Sequence, residues 1–219
     1  MLVFSLVAHE YAHGYAALKQ GDDTALMQGR LTLNPIPHID PWLTIILPAL
    51  LWFGSKGTFT FGGARPVQVR PDKYRHYRRG DIIVSGAGVV TNLIIGIVCT
   101  LLFVLLGLLA RVVDAAEVLG TVQRMLAWGV WLNLMLGFFN LLPIPPLDGS
   151  HILYHLLPGA VRERYRAFQR FGFLPLMALM LFFPKALQFL LIPAYAGMDL
   201  FIRFATPYAA SAGWNIFQS

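Results

Sequence analysis

The chain has 219 residues, of which 57% are hydrophobic and 13% are charged, and its formal net charge is +6. This balance is far from that of a soluble globular domain and is typical of a polytopic membrane protein. The basic residues cluster between apolar runs instead of covering one amphipathic surface, which follows the positive-inside rule and argues against nucleic acid as a partner. A single cysteine, Cys99, excludes an intramolecular disulfide.

The first apolar run contains the stretch LVAHEYAHGY at residues 6–15. Read as a helix, it places His9 and His13 one turn apart and about 40° around the axis, so both imidazoles leave the same face. Glu10 lies beside them. This H-E-x-x-H spacing is typical of a zinc site, in which two imidazoles bind the ion and the glutamate polarises its water. Because most histidines in helices only pack or hydrogen-bond, the motif needs support from the rest of the chain.

Two short segments follow. The stretch 42–53 is apolar, but it is shorter than a comfortable span and contains Pro48, so a re-entrant segment and a crossing are both open. The stretch 57–70 is rich in glycine and β-formers. It is predicted to form a short β-like hairpin or an extended loop at the membrane surface, with an irregular connector as the alternative.

Two runs predict transmembrane helices, 82–110 and 122–142, and the tail 173–206 predicts two shorter or kinked helices because prolines interrupt it. The basic clusters at 65–79 and 162–170 are separated by the two firm spans and therefore lie on one face, the cytosolic face. The sequence thus predicts an all-α, polytopic bundle of about five to six transmembrane helices. We expect a core at 1–157 and C-terminal helices at 158–219, within one compact unit.

The second informative stretch is NLLPIPPLDGSH at residues 140–151. Its prolines end the preceding helix and deliver Asp148 on extended backbone, where an acidic residue near membrane depth is a functional candidate. A surface aspartate after a helix-ending turn is the alternative. Catalytic zinc usually takes three protein ligands, and Asp148 is the best carboxylate to join His9 and His13.

A rival metal set can be drawn on one helix from Asp148, His151 and His155. The two histidines have the same one-turn spacing as the first pair. No glutamate lies near them to serve as a base, and Asp148 is explained there as a helix N-cap. We therefore expect these two histidines to support the site or to line an interfacial helix face.

The paired motifs, H-E-x-x-H at His9 to His13 and N-x-x-P-x-x-x-x-D-G from Asn140 to Gly149, resemble the site-2 protease family of intramembrane zinc metalloproteases. The stretches GRLTLNPIPHIDP and GGARPVQV resemble connecting segments of small members that lack a PDZ domain. The chain departs from the family at Val89, where the pattern A-G-P-x-x-N commonly has proline. The helix that usually precedes the histidine helix is absent, so we expect the natural chain to begin upstream of Met1.

The resemblance implies one zinc ion per chain, bound by His9, His13 and Asp148, with Glu10 as general base and acid. It implies hydrolysis of peptide bonds within or near transmembrane segments of membrane protein substrates, as in regulated intramembrane proteolysis. The enzyme would lie in the cell membrane, with its active site towards the cytosol.

Two asparagines, Asn140 and Asn92, are candidates for an oxyanion or substrate contact, and helix-to-helix hydrogen bonding is the alternative for both, favoured for Asn92. The stretch 57–70 could receive the unwound substrate as an added strand. A zinc-binding membrane transporter or a catalytically inert membrane binding module remains open as another class of function. Zinc-dependent cleavage of a membrane substrate distinguishes the enzyme from both.

Overall fold

A computed structural model describes residues 1–54, 56–57 and 62–210, except for the side chain of Leu43. In these residues the regular structure is helical and no strand is present, which confirms the all-α prediction. The α-helices are α1 (Leu2–Gln20), α2 (Thr24–Met27), α3 (Leu47–Gly54), α4 (Tyr77–Leu109), α5 (Ala116–Asn140), α6 (Asp148–Leu156), α7 (Gly159–Gln169), α8 (Leu174–Phe182), α9 (Pro184–Leu190) and α10 (Ile192–Ala205).

Helix α1 carries the H-E-x-x-H motif and has neither proline nor a run of β-branched residues to interrupt it. It ends at Gln20, and the following Gly21 has a φ of +110°, a left-handed conformation that favours glycine. The N–H of Asp22 then donates to the carbonyl of Ala17 at 2.9 Å. This ending brings Asp22 back beside the last turn of the helix, where its side chain is fully buried.

The apolar stretch after α2 is helical but short. A π-helical turn at Pro41–Ile46 continues into α3, and together they fall below the roughly 20 residues that a spanning helix needs. The expected hairpin at 57–70 lies partly outside the described residues, because 58–61 are not among them. In the described part, 62–70, the backbone is irregular and forms no strand.

Among the described residues, α4 is the one helix long and apolar enough to cross a membrane. The segment from Pro184 to Tyr208 qualifies only if α9 and α10 with the turn after it, bent by 54°, count as one broken span. The predicted span at 122–142 is helical as α5, but polar residues such as Gln123, Arg124 and Asn133 lower its hydropathy. Membrane crossing by more than one helix therefore stays a prediction.

The tail contains three helices, α8, α9 and α10, where two were predicted. Pro175, Pro184 and Pro193 each occupy the first turn of one of these helices. Proline is favoured there because its missing N–H has no partner to lose and its φ already suits a helix. These three prolines therefore mark the starts of successive helices and not interruptions within them.

The chain divides into two compact units. The N-terminal unit is Leu2–Gly88, and the C-terminal unit comprises Met1 and the chain from Val89 onwards. The division falls inside the α4 sequence, at another place than the predicted boundary at residue 157, which stays a prediction.

The core of the C-terminal unit is built mainly by α4, α5 and α10. Phe103 and Phe201 pack edge to face with ring centroids 5.5 Å apart, within a buried cluster that also includes Ala127, Val130 and Met198. A second cluster surrounds Leu176, which is fully buried. The N-terminal unit has a smaller apolar cluster of Ala17, Tyr74 and Val84.

Candidate metal centre

The two histidines of α1 point their Nε2 atoms at the same place. These atoms lie 3.0 Å apart, and both imidazoles are buried. The rings meet edge to face, with centroids 4.6 Å apart. One helical turn between the residues produces this convergence, as the sequence predicts, and two nitrogens at this separation suit two ligands of one ion.

The second imidazole is held by the main chain of α4. Nδ1 of His13 lies 2.7 Å from the carbonyl oxygen of Val84, a residue 71 positions away. Because a carbonyl can only accept, Nδ1 carries the proton and donates it. Nε2 of the neutral ring then keeps its lone pair, which is the tautomer that a metal ligand requires.

Space beside the two imidazoles is kept open by Gly88, also in α4. A Cβ at this position would lie 2.6 Å from Nε2 of both His9 and His13, and 2.5 Å from Cε1 of His9. Any side chain would therefore fill the point at which the two nitrogens converge. The residues present thus fit a metal ion through two aligned nitrogens, a fixed tautomer and an open cradle.

Glu10 is half-buried and is fixed by one of its two carboxylate oxygens. The N–H of Val67 donates to Oε2 of Glu10 at 2.7 Å. A hydrogen bond between a backbone N–H and a carboxylate is charge-assisted and stronger than a neutral one. The arrangement orients the carboxylate and leaves Oε1 for another partner.

The segment 62–70 is held along its length by loops of the same unit. The N–H of Arg65 donates to the carbonyl of His38 at 2.7 Å, and Thr44 donates through Oγ1 to the carbonyl of Gly63 at 2.8 Å. The carbonyl of Pro66 accepts a hydrogen bond from the Arg30 guanidinium at 3.3 Å. These partners replace the ladder that a hairpin would supply.

A buried carboxylate anchors the end of this segment. Oδ2 of Asp22 accepts the N–H of Arg70 at 2.6 Å, and Oδ1 accepts the N–H of Thr24 at 3.0 Å and its hydroxyl. Lys73 lies 3.7 Å from Oδ1 of Asp22 and donates to Asp23 at 2.6 Å. Burial raises the pKa of Asp22, but these hydrogen bonds and the Lys73 charge outweigh it and lower the pKa below its ordinary value.

Asp148 is the first residue of α6 in the C-terminal unit, and it is half-buried. The expected N-cap role is wrong, because the cap position is Leu147 and Asp148 is already the first residue of the helix. Asp148 is instead in the first turn, where the helix dipole favours a negative charge. The following Gly149 is required sterically, since a Cβ there would collide with the carbonyls of Leu141 and Leu142 at the end of α5.

The two histidines of α6 are in different environments. His151 is exposed, whereas His155 is buried and packs edge to face against Tyr154, with ring centroids 5.0 Å apart. One-turn spacing alone therefore does not give two imidazoles a common environment. This difference favours the expectation that His151 and His155 are not a metal pair.

The two candidate asparagines make local or interhelical hydrogen bonds. Nδ2 of Asn92 donates to Oδ1 of Asn133 at 2.8 Å, and Nδ2 of Asn133 donates to the carbonyl of Gly129 at 2.8 Å, with both asparagines fully buried. This pair joins α4 to α5. Nδ2 of Asn140 donates to the carbonyl of Leu136 in its own helix at 3.0 Å. A substrate contact stays a prediction for both candidates.

Sequence reasoning missed three contributors to the N-terminal half of the site: the carbonyl of Val84, the N–H of Val67 and the clearance at Gly88. Two of them act through the main chain, and the third acts by having no side chain. The only signal available in the sequence was the A-G-x-x-x-N pattern that contains Gly88.

Comparison with known proteins identifies the relatives of this chain. The family model described as Peptidase family M50 matches residues 106–183. The "Putative zinc metalloprotease YwhC" of Bacillus subtilis is 42% identical over 178 residues, which cover 81% of this chain and 77% of that protein. The chain belongs to peptidase family M50. M50 membership confirms the resemblance to site-2 proteases and the prediction of a membrane metalloprotease that uses zinc.

More distant relatives are longer than this M50 chain. The "Putative zinc metalloprotease Rip2" of Mycolicibacterium smegmatis is 34% identical over 82% of this chain and 64% of its own length. Its namesake from Mycobacterium tuberculosis is 35% identical over 72% of this chain and 56% of its own length. The chain thus spans less than two thirds of either mycobacterial relative. No solved structure shows a significant match.

Proposed function

We propose that this M50 peptidase hydrolyses peptide bonds within or near the transmembrane segments of membrane proteins, as in regulated intramembrane proteolysis. The observation that carries the proposal is the buried pair of convergent Nε2 atoms of His9 and His13, with Glu10 next to them on the same helix. We propose that the apolar helix carrying these residues lies within the membrane, which would bring the hydrolytic centre to the depth of the peptide bonds of a membrane-spanning substrate.

One zinc ion per chain would be held by His9, His13 and Asp148. The first two fit because one tautomer is fixed by Val84 and the position is kept open by Gly88. The third rests on residue type, on the paired motifs and on the position of Asp148 at the start of α6. Two histidines and one carboxylate form a ligand set typical of catalytic zinc, which when bound activates water and polarises the scissile carbonyl.

Glu10 moves the protons of the reaction. Its Oε2 is occupied by the N–H of Val67, so we assign Oε1 as the atom that takes a proton from the attacking water and passes it to the leaving amine. The fixed carboxylate needs no reorientation between the two transfers, which is the benefit of a base held by the main chain.

The topology of the N-terminal unit supports a re-entrant segment at 42–53. Asp23 and Lys73 form an ion pair at 2.6 Å, and the N–H of Arg70 bonds to Asp22. Residues 22–23 and 70–73 are therefore in contact and lie on the same side of the membrane. The chain between them must cross the membrane an even number of times or not at all. The helix at Pro41–Gly54 is too short for even one crossing.

Same-side labelling tests this topology. Cysteines at Asp23 and Asp72, introduced with Cys99 removed, are expected to react with an impermeant reagent from one side of the membrane, the cytosolic side. Asp23 serves better than Asp22, because Asp22 is buried. Labelling from opposite sides would refute the re-entrant segment.

The substrate would bind in extended form along the segment 57–70. Support comes from the sequence pattern and from the bond between Val67 of this segment and the proposed base. Prolines placed through 57–62 are expected to reduce cleavage, since an added strand needs main-chain donors. Unchanged cleavage would argue against strand addition.

The test of the function is zinc-dependent cleavage of a model transmembrane substrate by the purified protein in detergent. Activity should disappear on chelation and return with zinc, and Glu10→Gln should bind zinc without cleaving. Stoichiometric zinc with no cleavage in the parent would instead indicate a binding module or a transporter.

A further inference from the structure

Two carboxylates hold the same short piece of main chain. The N–H of Val67 donates to Glu10 at 2.7 Å, and the N–H of Arg70, three residues later, donates to Asp22 at 2.6 Å. Glu10 belongs to α1, and Asp22 follows the end of that helix. Both carboxylates are therefore attached to the same helix, α1. The main chain from Val67 to Arg70 spans at most about 10 Å.

The carboxylate of Asp22 is both buried and fully hydrogen-bonded, unlike a carboxylate in an ordinary surface turn. Its side chain is fully buried and accepts two hydrogen bonds from Thr24 in addition to the one from Arg70. A buried carboxylate is costly unless such bonds satisfy it, so its orientation is closely defined. A neighbouring bond, from the N–H of Arg75 to the carbonyl of Gln20 at 2.8 Å, ties the same two parts of the chain.

We propose that Asp22 is a positioning residue for Glu10: by holding Arg70 against the end of α1, it sets the place from which the N–H of Val67 orients the Glu10 carboxylate. Asp22 touches no reacting atom and acts only through the main chain. The inference rests on the proposed role of Glu10 for its catalytic consequence, but the mechanical link between the two anchors stands apart from that role.

Asp22→Asn and Asp23→Asn are a matched pair for the test. Asp22→Asn replaces one of the two acceptor oxygens by an NH2 donor, so the three donors from Arg70 and Thr24 compete for the single oxygen that remains. Asp23 is exposed, and its side chain bonds to Lys73. Hydrogen exchange of single amides in the full chain is the first measurement. For Asp22→Asn we expect exchange at both Arg70 and Val67 to accelerate about tenfold, while amides in α5 stay unchanged. Asp23→Asn should leave Val67 at the parent rate.

Kinetics are the second measurement. For Asp22→Asn we expect kcat to fall about tenfold, with KM and zinc content within about twofold of the parent, because an orientation and not a binding contact is lost. Acceleration at Arg70 alone, with Val67 protected and kcat unchanged, would overturn the proposal. If the protein proves not to be a protease, the exchange result still decides whether the two anchors are linked.

A milder variant covers the case in which Asp22→Asn does not fold. Thr24→Ala removes the hydroxyl donor to Asp22 and keeps the Arg70 bond. A smaller increase in exchange at both Arg70 and Val67 is expected, and an increase confined to Arg70 would again contradict the proposal.

Discussion

In the N-terminal unit, imidazole and carboxylate side chains bond to distant main chain, whereas in the C-terminal unit buried amide side chains join helices to one another and to main chain. His13, Glu10 and Asp22 each bond to main chain at least 48 residues away. Asn92 and Asn133 bond to each other between helices, and Gln123 bonds to the carbonyls of Phe103 and Tyr208. Amides that satisfy one another hold a structure together. His13 and Glu10 are each held by the main chain through one atom and keep the second atom for chemistry, whereas both oxygens of Asp22 accept hydrogen bonds and serve the structure.

This difference predicts that substitutions in the N-terminal unit reduce function more than stability. Glu10→Gln is expected to lose about 10²- to 10⁴-fold in kcat, because the proton acceptor is gone, while zinc and the melting temperature stay near those of the parent. Cleavage kinetics with metal analysis of the same sample checks this. Activity within a few-fold of the parent would remove Glu10 from its assigned role.

Gly88 and Gly86, both in α4, test whether metal binding needs the open space beside the two imidazoles. A Cβ at Gly88 would lie 2.6 Å from the Nε2 atoms of both His9 and His13, whereas one at Gly86 meets nothing within 4 Å. Gly88→Ala should weaken zinc affinity at least about 100-fold, and Gly86→Ala should leave it unchanged. Competition with a zinc chelator measures both. Equal affinity in the two variants would mean that the metal does not bind where the imidazoles converge.

In the C-terminal unit the expected loss is one of stability. Asn133→Ala removes the acceptor for Asn92 and should lower the free energy of unfolding by about 1 kcal/mol. Asn140→Ala, which loses only a bond within its own helix, should cost less. Unfolding in mixed detergent checks the order of the two variants. A larger stability loss in Asn140→Ala would contradict the expectation that the bond between Asn92 and Asn133 is the more stabilising of the two.

The smallest expected effect is a pH dependence that originates at Asp22. Its pKa in the folded protein lies below the ordinary value of 3.8, so its contribution to stability is complete above that value and is lost as the pH falls through the lower, folded pKa. Asp22→Asn should therefore be less stable than the parent at pH 6, and the difference should shrink below about pH 3.8. Parallel thermal melts of the two proteins measure it, and a difference that persists unchanged at the lowest pH would contradict the assignment.

Local features of the site followed from the sequence, and distant ones did not. The shared face of His9 and His13 depends only on helical periodicity, and the break after Asn140 depends only on the prolines that follow it. The partners of His13 and Glu10 are main-chain groups 71 and 57 residues away. A main-chain carbonyl or N–H is present in nearly every residue, so no pattern of side chains marks the one that will be used.

The fold shows the same limit in the tail. The sequence predicts that prolines interrupt the helices there, and the structure has three helices that begin near Pro175, Pro184 and Pro193. Whether a proline ends one helix or starts the next depends on the residues packed around the first turn. Leu176 and Leu191 are buried in one cluster near two of these starts, and composition alone does not show this packing.

The carbonyl of Val84 has two partners, the imidazole of His13 and a main-chain N–H of its own helix α4. In an α-helix the C=O of residue 84 is also the acceptor for the N–H of residue 88. The carbonyl that sets the tautomer of His13 and the glycine that leaves room beside it are therefore one helical turn apart and joined by one hydrogen bond. Turning this part of α4 about its axis would withdraw the acceptor and close the gap in one movement. If zinc binds as proposed, its occupancy would report the register of α4 against the histidine helix.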